Sequence, residues 1–168
     1  MPTAEMRKEP SVSNDFHSIV VVGASGDLAR KKIYPSLFHL YYNNLLPTNF
    51  VIVGYARTDM PEAEFHEKIL KNLSCRTMDK DHCQAKMAEF MKKCRYLAGQ
   101  YDQPEDFKKL DTFLKGFEPA GKVANRLFYF SIPPSVFVDV ATSIGKAAKA
   151  VSGWNRLILE KPFGRDTE

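Results

Sequence analysis

Residues 19–32 read IVVVGASGDLARKK, and this stretch decides the fold of the chain. Four β-branched residues lead directly into a Gly-x-x-Gly turn, and a basic helix start follows the turn. The strand is apolar enough to be buried on both faces, as strands of parallel sheets are. Because the first N–H groups of a helix lack intrahelical partners and carry partial positive charge, this strand–turn–helix order predicts a site for a phosphorylated ligand, in particular a dinucleotide.

The turn differs from the common dinucleotide fingerprint G-x-G-x-x-G. Its spacing is Gly23-x-x-Gly26-x-x-Ala29, and Ser25 stands where the second glycine would be. A Gly-x-x-Gly between a strand and a helix is also compatible with a plain turn that binds nothing. The small side chain of Ala29 favours the binding interpretation, because close packing of the helix on the strand needs a small residue there. Asp27 is expected to act as a first-turn acid or to hold the turn.

The composition is that of one globular domain. The chain has 168 residues, 44% of them hydrophobic and 26% charged. The formal net charge of +4 is mild, and no dense Lys/Arg block with interleaved aromatic residues occurs, so nucleic acid is not an expected partner. No apolar run approaches the ~20 residues that span a membrane, and no apolar signal core is present at the N-terminus. We therefore expect a cytoplasmic protein that does not bind membranes.

The cysteines and histidines indicate neither a metal site nor a disulfide framework. Cys75, Cys83 and Cys94 are odd in number and lack C-x-x-C spacing, so reduced thiols in a cytosolic protein are expected. The histidines form no metal-spaced pair, and we expect each of them to be structural or exposed. The four histidines are His17, His39, His66 and His82.

Short apolar runs alternate with amphipathic stretches along the chain. This alternation predicts an α/β fold, a Rossmann-like doubly wound and mainly parallel sheet. Residues 1–16 are expected to form a flexible lead-in, and residues 17–168 the domain. Strands are predicted at 17–22, 50–56, 95–98, 126–132 and 155–160, and helices at 27–43, 61–73, 81–93, 104–115 and 136–150. Ligands of such sheets bind beyond the carboxyl ends of the strands, where the unusual motifs of this sequence occur.

The second predicted strand ends in GYART, at residues 54–58. An acidic residue at this strand end binds the ribose 2′-hydroxyl of NAD, whereas an arginine suits a 2′-phosphate. Arg57 carries a permanently charged planar fork that phosphate accepts bidentately, and Thr58 adds a hydroxyl. The residue therefore favours NADP over NAD, although Asp59 follows closely and a surface-loop role for Arg57 is the alternative.

Three further strand ends carry candidate residues. The fourth strong strand ends in Ser131-Ile132-Pro133-Pro134, a stiff loop that either presses on the cofactor or merely terminates the strand. Tyr101 follows the third strand and either lies near the cofactor or is an ordinary half-buried tyrosine. Lys161 precedes a proline at the end of the last strand, where it either binds a substrate or phosphate oxygen or is a solvated surface lysine.

Four motifs occur in order along nearly the whole chain: GASGDLARKKIYP at 23–35, GYAR at 54–57, GQYD at 99–102 and EKPFGRD at 160–166. Together they resemble the glucose-6-phosphate dehydrogenase family, and GASGDLA and EKPFG are specific to it. The resemblance implies an oxidoreductase of the oxidative pentose phosphate pathway. Such an enzyme oxidises the C1 hydroxyl of glucose 6-phosphate to a lactone and transfers the hydride to NADP.

The resemblance implies a role for each motif. The glycine turn would hold the NADP pyrophosphate, and Arg57 would hold the 2′-phosphate. Tyr101 and the loop after Ser131 would flank the cofactor. Lys161 would bridge the cofactor and glucose 6-phosphate, and Pro162 would set the hinge between domains. The implied cofactor-binding residues are Gly23, Ala24, Ser25, Gly26, Asp27, Leu28, Ala29, Arg30, Arg57, Tyr101, Ser131 and Lys161.

The resemblance also predicts parts that these residues do not include. The family's general base is a histidine, oriented by an aspartate, in a segment downstream of EKPFG, and all four histidines here precede Lys161. The second, α+β domain of the family is missing as well. We therefore expect a fragment, a truncated isoform or a partial gene model without a catalytic residue and with little or no activity alone. For the full-length enzyme the resemblance implies a homo-oligomer.

One function from another class stays open. A non-catalytic NADP-binding or interaction module would bind the cofactor without turnover and dock onto a full-length partner. A short-chain reductase is disfavoured, because its Tyr-x-x-x-Lys pair does not occur: Tyr42, Tyr55, Tyr96, Tyr101 and Tyr129 are not followed by lysine four residues later.

Overall fold

A computed structural model of the chain describes residues 13–76 and 79–161. Five strands form one parallel sheet in the order β3-β2-β1-β4-β5, which confirms the predicted fold class. The strands are β1 (Phe16–Val22), β2 (Phe50–Ala56), β3 (Cys94–Ala98), β4 (Ala124–Phe130) and β5 (Asn155–Leu159). The helices are α1 (Tyr34–Tyr42), α2 (Glu62–Leu70), α3 (Lys80–Lys93), α4 (Pro104–Lys115) and α5 (Phe137–Ala147).

Helices cover both faces of the sheet at its inner strands, which is why these strands read as continuous apolar runs, whereas every residue of the edge strand β5 is exposed. On one face α1, α2 and α3 pack over β1 to β3 around Ile52 and Phe65. On the other face α4 and α5 pack over β1, β2 and β4 around Val53 and Phe128. Every residue of β2 is buried, as expected for a strand enclosed on both sides. In the two ranges that the structure describes, no helix combines the length and apolarity that a membrane crossing needs.

The order of the strands reverses at β1. Its last residue, Val22, is paired with Tyr55 of β2 on one side and with Phe130 of β4 on the other. Neighbouring connections therefore leave the sheet in opposite directions at the end of β1, and the crevice opens where ligands of doubly wound sheets bind. We call this end of the sheet, where β1 to β4 end, the carboxyl end, and the opposite end the amino end.

The helix after the glycine turn contains a feature that periodicity does not predict. Asp27 and Leu28 are already helical, so the helix predicted at 27–43 is confirmed. Residues Ala29–Ile33 form a π-helical turn, in which the Tyr34 N–H donates to the Ala29 carbonyl before α1 continues. Such turns occur frequently at functional sites, and here the turn follows directly on the glycines.

Most predicted boundaries agree with the structure, and β2 and α4 agree to the residue. The largest differences are at the ends of α2 and α5, which stop at Leu70 and Ala147, three residues before the predicted ends. β4 begins at Ala124 and ends at Phe130 instead of spanning 126–132. Its first residues include two polar side chains, Asn125 and Arg126, that are both buried. Each is satisfied by side-chain hydrogen bonds, which the local sequence pattern does not show.

The expectation that all cysteines are reduced is wrong. Cys75 and Cys83 form a disulfide with their Cα atoms 5.9 Å apart, whereas Cys94 is free and buried. The connection between α2 and α3 brings Cys75 back beside the first turn of α3. The approach of the two cysteines leaves no recognisable spacing motif in the sequence.

Candidate functional site

The glycine turn lies against the ends of both neighbouring strands. The Gly23 N–H donates to the Tyr55 carbonyl at 2.8 Å, and the Ser131 N–H donates to the Val22 carbonyl at 2.8 Å. Gly23 has φ +89°, and a Cβ on it would overlap the carbonyl oxygen of Ser131. Only glycine fits this position, so the turn can pass close to the loop after β4.

The side chains of the turn divide into packing residues and exposed residues. Ala24 and Ala29 are fully buried, and a Cβ on Gly54 would come within 2.8 Å of the Ala24 Cβ. Asp27 is exposed and forms ion pairs with Arg30 at 2.5 Å and Lys31 at 3.7 Å. Both partners lie on the same helix, so Asp27 acts as an acid of the first helical turn, one of the two roles expected for it. The helix that follows begins at Asp27, and the first N–H groups of a helix have no intrahelical partners.

Arg57 lies exposed just past the end of β2. Its guanidinium carbon is 5.3 Å from the centre of the Tyr101 ring, a cation–π contact. Within residues 13–76 and 79–161, the ion pairs of the structure do not include Arg57. Beside it, the Thr58 hydroxyl is 3.4 Å from that of Ser25, which links the Arg57 loop to the glycine turn. The site thus combines a cation, two hydroxyls and a helix N-terminus.

Tyr101 is held in place by a loop that sequence reasoning missed. The Tyr55 hydroxyl donates to the Gln100 carbonyl at 2.7 Å. The Gln100 N–H donates to the Asp106 carboxylate at 2.9 Å, and this hydrogen bond lowers the pKa of Asp106. Burial raises the pKa of Tyr101, against the opposing effect of the Arg57 charge. One sequence feature could have indicated this contact. Asp106 lies in the first turn of α4, where a carboxylate can accept a hydrogen bond from a backbone N–H of the preceding loop.

Lys161 lies apart from this cluster. It is exposed and stands two residues beyond the end of β5, one strand further out than Ser131. The preceding carboxylate, that of Glu160, accepts a hydrogen bond from the Tyr129 hydroxyl, which fixes the chain where it leaves β5. Pro162, to which a hinge role was assigned, lies outside the described residues.

The four histidines lie away from the crevice. His17 is at the amino end of β1, where its ring packs against Trp154. His66 contacts the carbonyl of Cys94 at 2.6 Å, at the start of β3. His39 and His82 lie beside Asn43 and Tyr42 respectively, at the far end of α1. Each is therefore structural or exposed, as expected.

Comparison with known proteins agrees with these observations. Residues 20–168 match the family model described as glucose-6-phosphate dehydrogenase, NAD binding domain. The chain is 49% identical over 163 residues to a chloroplastic glucose-6-phosphate 1-dehydrogenase of Spinacia oleracea, covering 97% of this chain and 27% of that protein. It is 53% identical over 151 residues to glucose-6-phosphate 1-dehydrogenase 3, chloroplastic, of Arabidopsis thaliana, covering 90% and 25%.

A solved structure of a glucose-6-phosphate dehydrogenase in complex with its substrate glucose-6-phosphate superimposes with a TM-score of 0.84. It is 36% identical in sequence, and the match covers 94% of this chain and 33% of that one. The chain thus spans about a quarter of the length of the curated plant relatives it matches. Because these relatives are chloroplastic, the expectation of a cytoplasmic protein is wrong.

Proposed function

The chain belongs to the glucose-6-phosphate dehydrogenase family, and we propose that it is the NADP-binding domain of such an enzyme. The family consists of oxidoreductases that use NADP as cofactor. The whole protein would oxidise glucose 6-phosphate at C1 to 6-phosphogluconolactone, the entry step of the oxidative pentose phosphate pathway. The identity to chloroplastic relatives favours a plastid as its location.

The glycine turn is the proposed pyrophosphate site. Its support is the close approach of Gly23 to the Ser131 carbonyl, which a side chain at residue 23 would prevent and which brings the turn to the end of β4. The amides that follow lie at a helix N-terminus, whose partial positive charge favours an anion. Ala24 and Ala29 contribute by being small and buried, so the first turn of the helix lies close to β2. Ser25 contributes a hydroxyl at the mouth of the turn, 3.4 Å from that of Thr58.

The observation that carries the proposal is the position of Arg57. Its guanidinium is exposed beside the glycine turn and faces the Tyr101 ring. A guanidinium and an aromatic ring facing each other at 5.3 Å suit the adenosine end of a dinucleotide, with the cation on the 2′-phosphate and the ring near the base. NAD lacks that phosphate, so the contact favours NADP.

Ser131 and Lys161 complete the proposed site. The Ser131 loop abuts the glycine turn and would flank the ribose and nicotinamide end of the cofactor. Lys161, beyond β5, would bridge the cofactor and an oxygen of glucose 6-phosphate. When bound, NADP supplies the hydride acceptor for C1.

Within this chain we propose cofactor binding without turnover. Oxidation of a hydroxyl needs a base within hydrogen-bond reach of its proton. All four histidines lie away from the carboxyl end of the sheet, and three of them are engaged at or near its amino end. The catalytic histidine of the family would therefore have to come from residues other than these four.

The test is a titration of this chain with NADP and with NAD, for wild type and Arg57→Ala. A charge-assisted hydrogen bond contributes about 1.5–3 kcal/mol, so we expect NADP to bind roughly tenfold to a hundredfold more tightly than NAD. Arg57→Ala should remove most of that preference. Addition of glucose 6-phosphate should give no NADPH absorbance. Equal binding of both dinucleotides by the wild type would overturn the assignment of the site, and NADPH production would overturn the assignment of a non-catalytic domain.

A further inference from the structure

Tyr96, on β3, contacts the loop that carries Arg57. Its hydroxyl donates a hydrogen bond to the Thr58 carbonyl. Its ring is 8% exposed and lies 4.6 Å, centroid to centroid, from that of Phe65 on α2. The ring is thus fixed by packing, and the position of its hydroxyl is fixed with it.

A second anchor holds the other end of the same loop. Glu62, the first residue of α2, accepts the Arg95 Nε–H at 3.1 and 2.9 Å through its two carboxylate oxygens. The same carboxylate accepts the N–H of Tyr96 at 3.3 Å. The segment between β2 and α2 is therefore attached to β3 at both of its ends, by Tyr96 at residue 58 and by Arg95 at residue 62.

Residue 58 is the junction of these contacts. Its carbonyl is held by Tyr96, and its hydroxyl lies 3.4 Å from that of Ser25 in the glycine turn. Arg57 precedes it directly, so fixing Thr58 limits where the adjoining backbone of Arg57, and with it the guanidinium, can lie. An arginine on an otherwise free loop would lose side-chain and backbone entropy on binding phosphate, and a fixed loop reduces that loss.

We propose that Tyr96 is a positioning residue for the recognition of NADP over NAD, acting through Thr58 and Arg57. This inference rests on the proposed function and deepens it. Burial raises the pKa of Tyr96 to about 12, and the charges of the nearby Tyr101 and Asp59 act in the same direction. The hydroxyl therefore stays protonated, and able to donate its hydrogen bond, at neutral pH. Tyr96 itself would not touch the cofactor.

The test compares Tyr96→Phe with wild type by titration with NADP and with NAD. The substitution removes one hydrogen bond and leaves the packing of the ring on Phe65 intact. A hydrogen bond contributes about 0.5–1.5 kcal/mol net, so the preference for NADP should fall roughly twofold to tenfold while NAD affinity stays unchanged. Glu62→Gln, which weakens the second anchor, should change the preference in the same direction.

Two controls separate positioning from general destabilisation. Tyr41→Phe also removes a tyrosine hydroxyl bond, the one to Glu89 at 3.0 Å between α1 and α3, and should leave the preference unchanged. In an Arg57→Ala background, Tyr96→Phe should have no further effect on the ratio of the two affinities. A structural role alone would weaken both dinucleotides equally and would persist without Arg57.

The outcomes distinguish this inference from the proposed function. A wild-type preference for NADP that Arg57→Ala removes but Tyr96→Phe leaves intact would overturn the positioning role only. Equal weakening of NADP and NAD by Tyr96→Phe would overturn it as well. A wild type without any preference would overturn the proposed function and this inference together.

Discussion

Arg57 and Arg126 lie at opposite ends of the same sheet and in opposite environments. Arg126, near the amino end, has a side chain only 1% exposed and forms ion pairs with Asp111, at 2.6 Å, and with Glu118. It also donates to the Ala148 carbonyl at 2.8 Å. Arg57, at the carboxyl end, is exposed and packs against an aromatic ring. One arginine has its hydrogen-bonding capacity used by the fold, whereas the other has it available for a ligand.

The contrast separates an end of the sheet that stabilises the fold from the end where we propose that the cofactor binds. The amino end is closed by polar groups that satisfy one another, because buried charge is tolerated only when it is paired. The carboxyl end is formed by turns whose backbone is hydrogen-bonded to the neighbouring strands, while the side chains of Arg57 and Thr58 are exposed. Residue type alone does not distinguish the two arginines, and their surroundings do.

The largest expected effect comes from Arg126→Met. The substitution leaves the carboxylates of Asp111 and Glu118 half-buried without their common partner. Removing one member of a buried ion pair costs about 3–5 kcal/mol, so we expect a loss of that size in the free energy of unfolding, measured by urea denaturation. The ratio of NADP to NAD affinity should not change while the chain is folded. A stability like that of wild type would show that the two ends do not differ as described.

Gly23→Ala should have a smaller effect on stability and a selective effect on binding. The left-handed backbone costs a side chain about 1–2 kcal/mol, and overlap with the Ser131 carbonyl adds to that cost. Gly121→Ala is the matched control, because Gly121 also has positive φ, at +75°, but has open space around it. We expect NADP binding to be lost in Gly23→Ala and kept in Gly121→Ala. Equal unfolding free energies in the two variants would contradict the close approach of turn and loop.

The smallest effect is a pH dependence at the amino end. Burial opposes ionisation of Asp111, but hydrogen bonds from Lys115 and Arg126 outweigh it and lower the pKa of Asp111. A group with a lowered pKa contributes stability above its unfolded value, about 3.9, and loses it as the pH falls through the folded pKa. We expect Asp111→Asn to be less stable than wild type by about 2 kcal/mol at pH 7. The difference should shrink below about pH 4 and would contradict this account if it grew there.

Much of the fold can be predicted from the local pattern of apolar residues, because burial of a strand on both faces requires an apolar residue at each position. The limits of β2 and α4 and the glycine turn at the end of β1 are all predictable in this way. The sequence also places Arg57 at a strand end where a phosphate is bound in dinucleotide-binding sheets. The meeting of these segments follows from parallel topology, which brings the carboxyl ends of neighbouring strands together.

Contacts between distant residues were not predictable. The hydrogen bond from Tyr96 to the Thr58 carbonyl and the pairing of Arg126 with Asp111 join segments that lie apart in the sequence. The disulfide joins Cys75 to Cys83 on the first turn of α3. Each contact depends on three-dimensional approach and leaves no periodic signal. The residues that support the proposed site were therefore missed, whereas the residues proposed to bind the cofactor were named from the sequence.

The central claim is that Arg57 recognises a 2′-phosphate, and the most direct measurement isolates that group. Adenosine 2′,5′-bisphosphate and adenosine 5′-monophosphate differ only by it, and both can be titrated into the wild-type chain and into Arg57→Ala. We expect the bisphosphate to bind roughly tenfold or more tightly than the monophosphate in wild type, as a charge-assisted bond predicts, and equally in Arg57→Ala. An undiminished preference in Arg57→Ala would contradict the account.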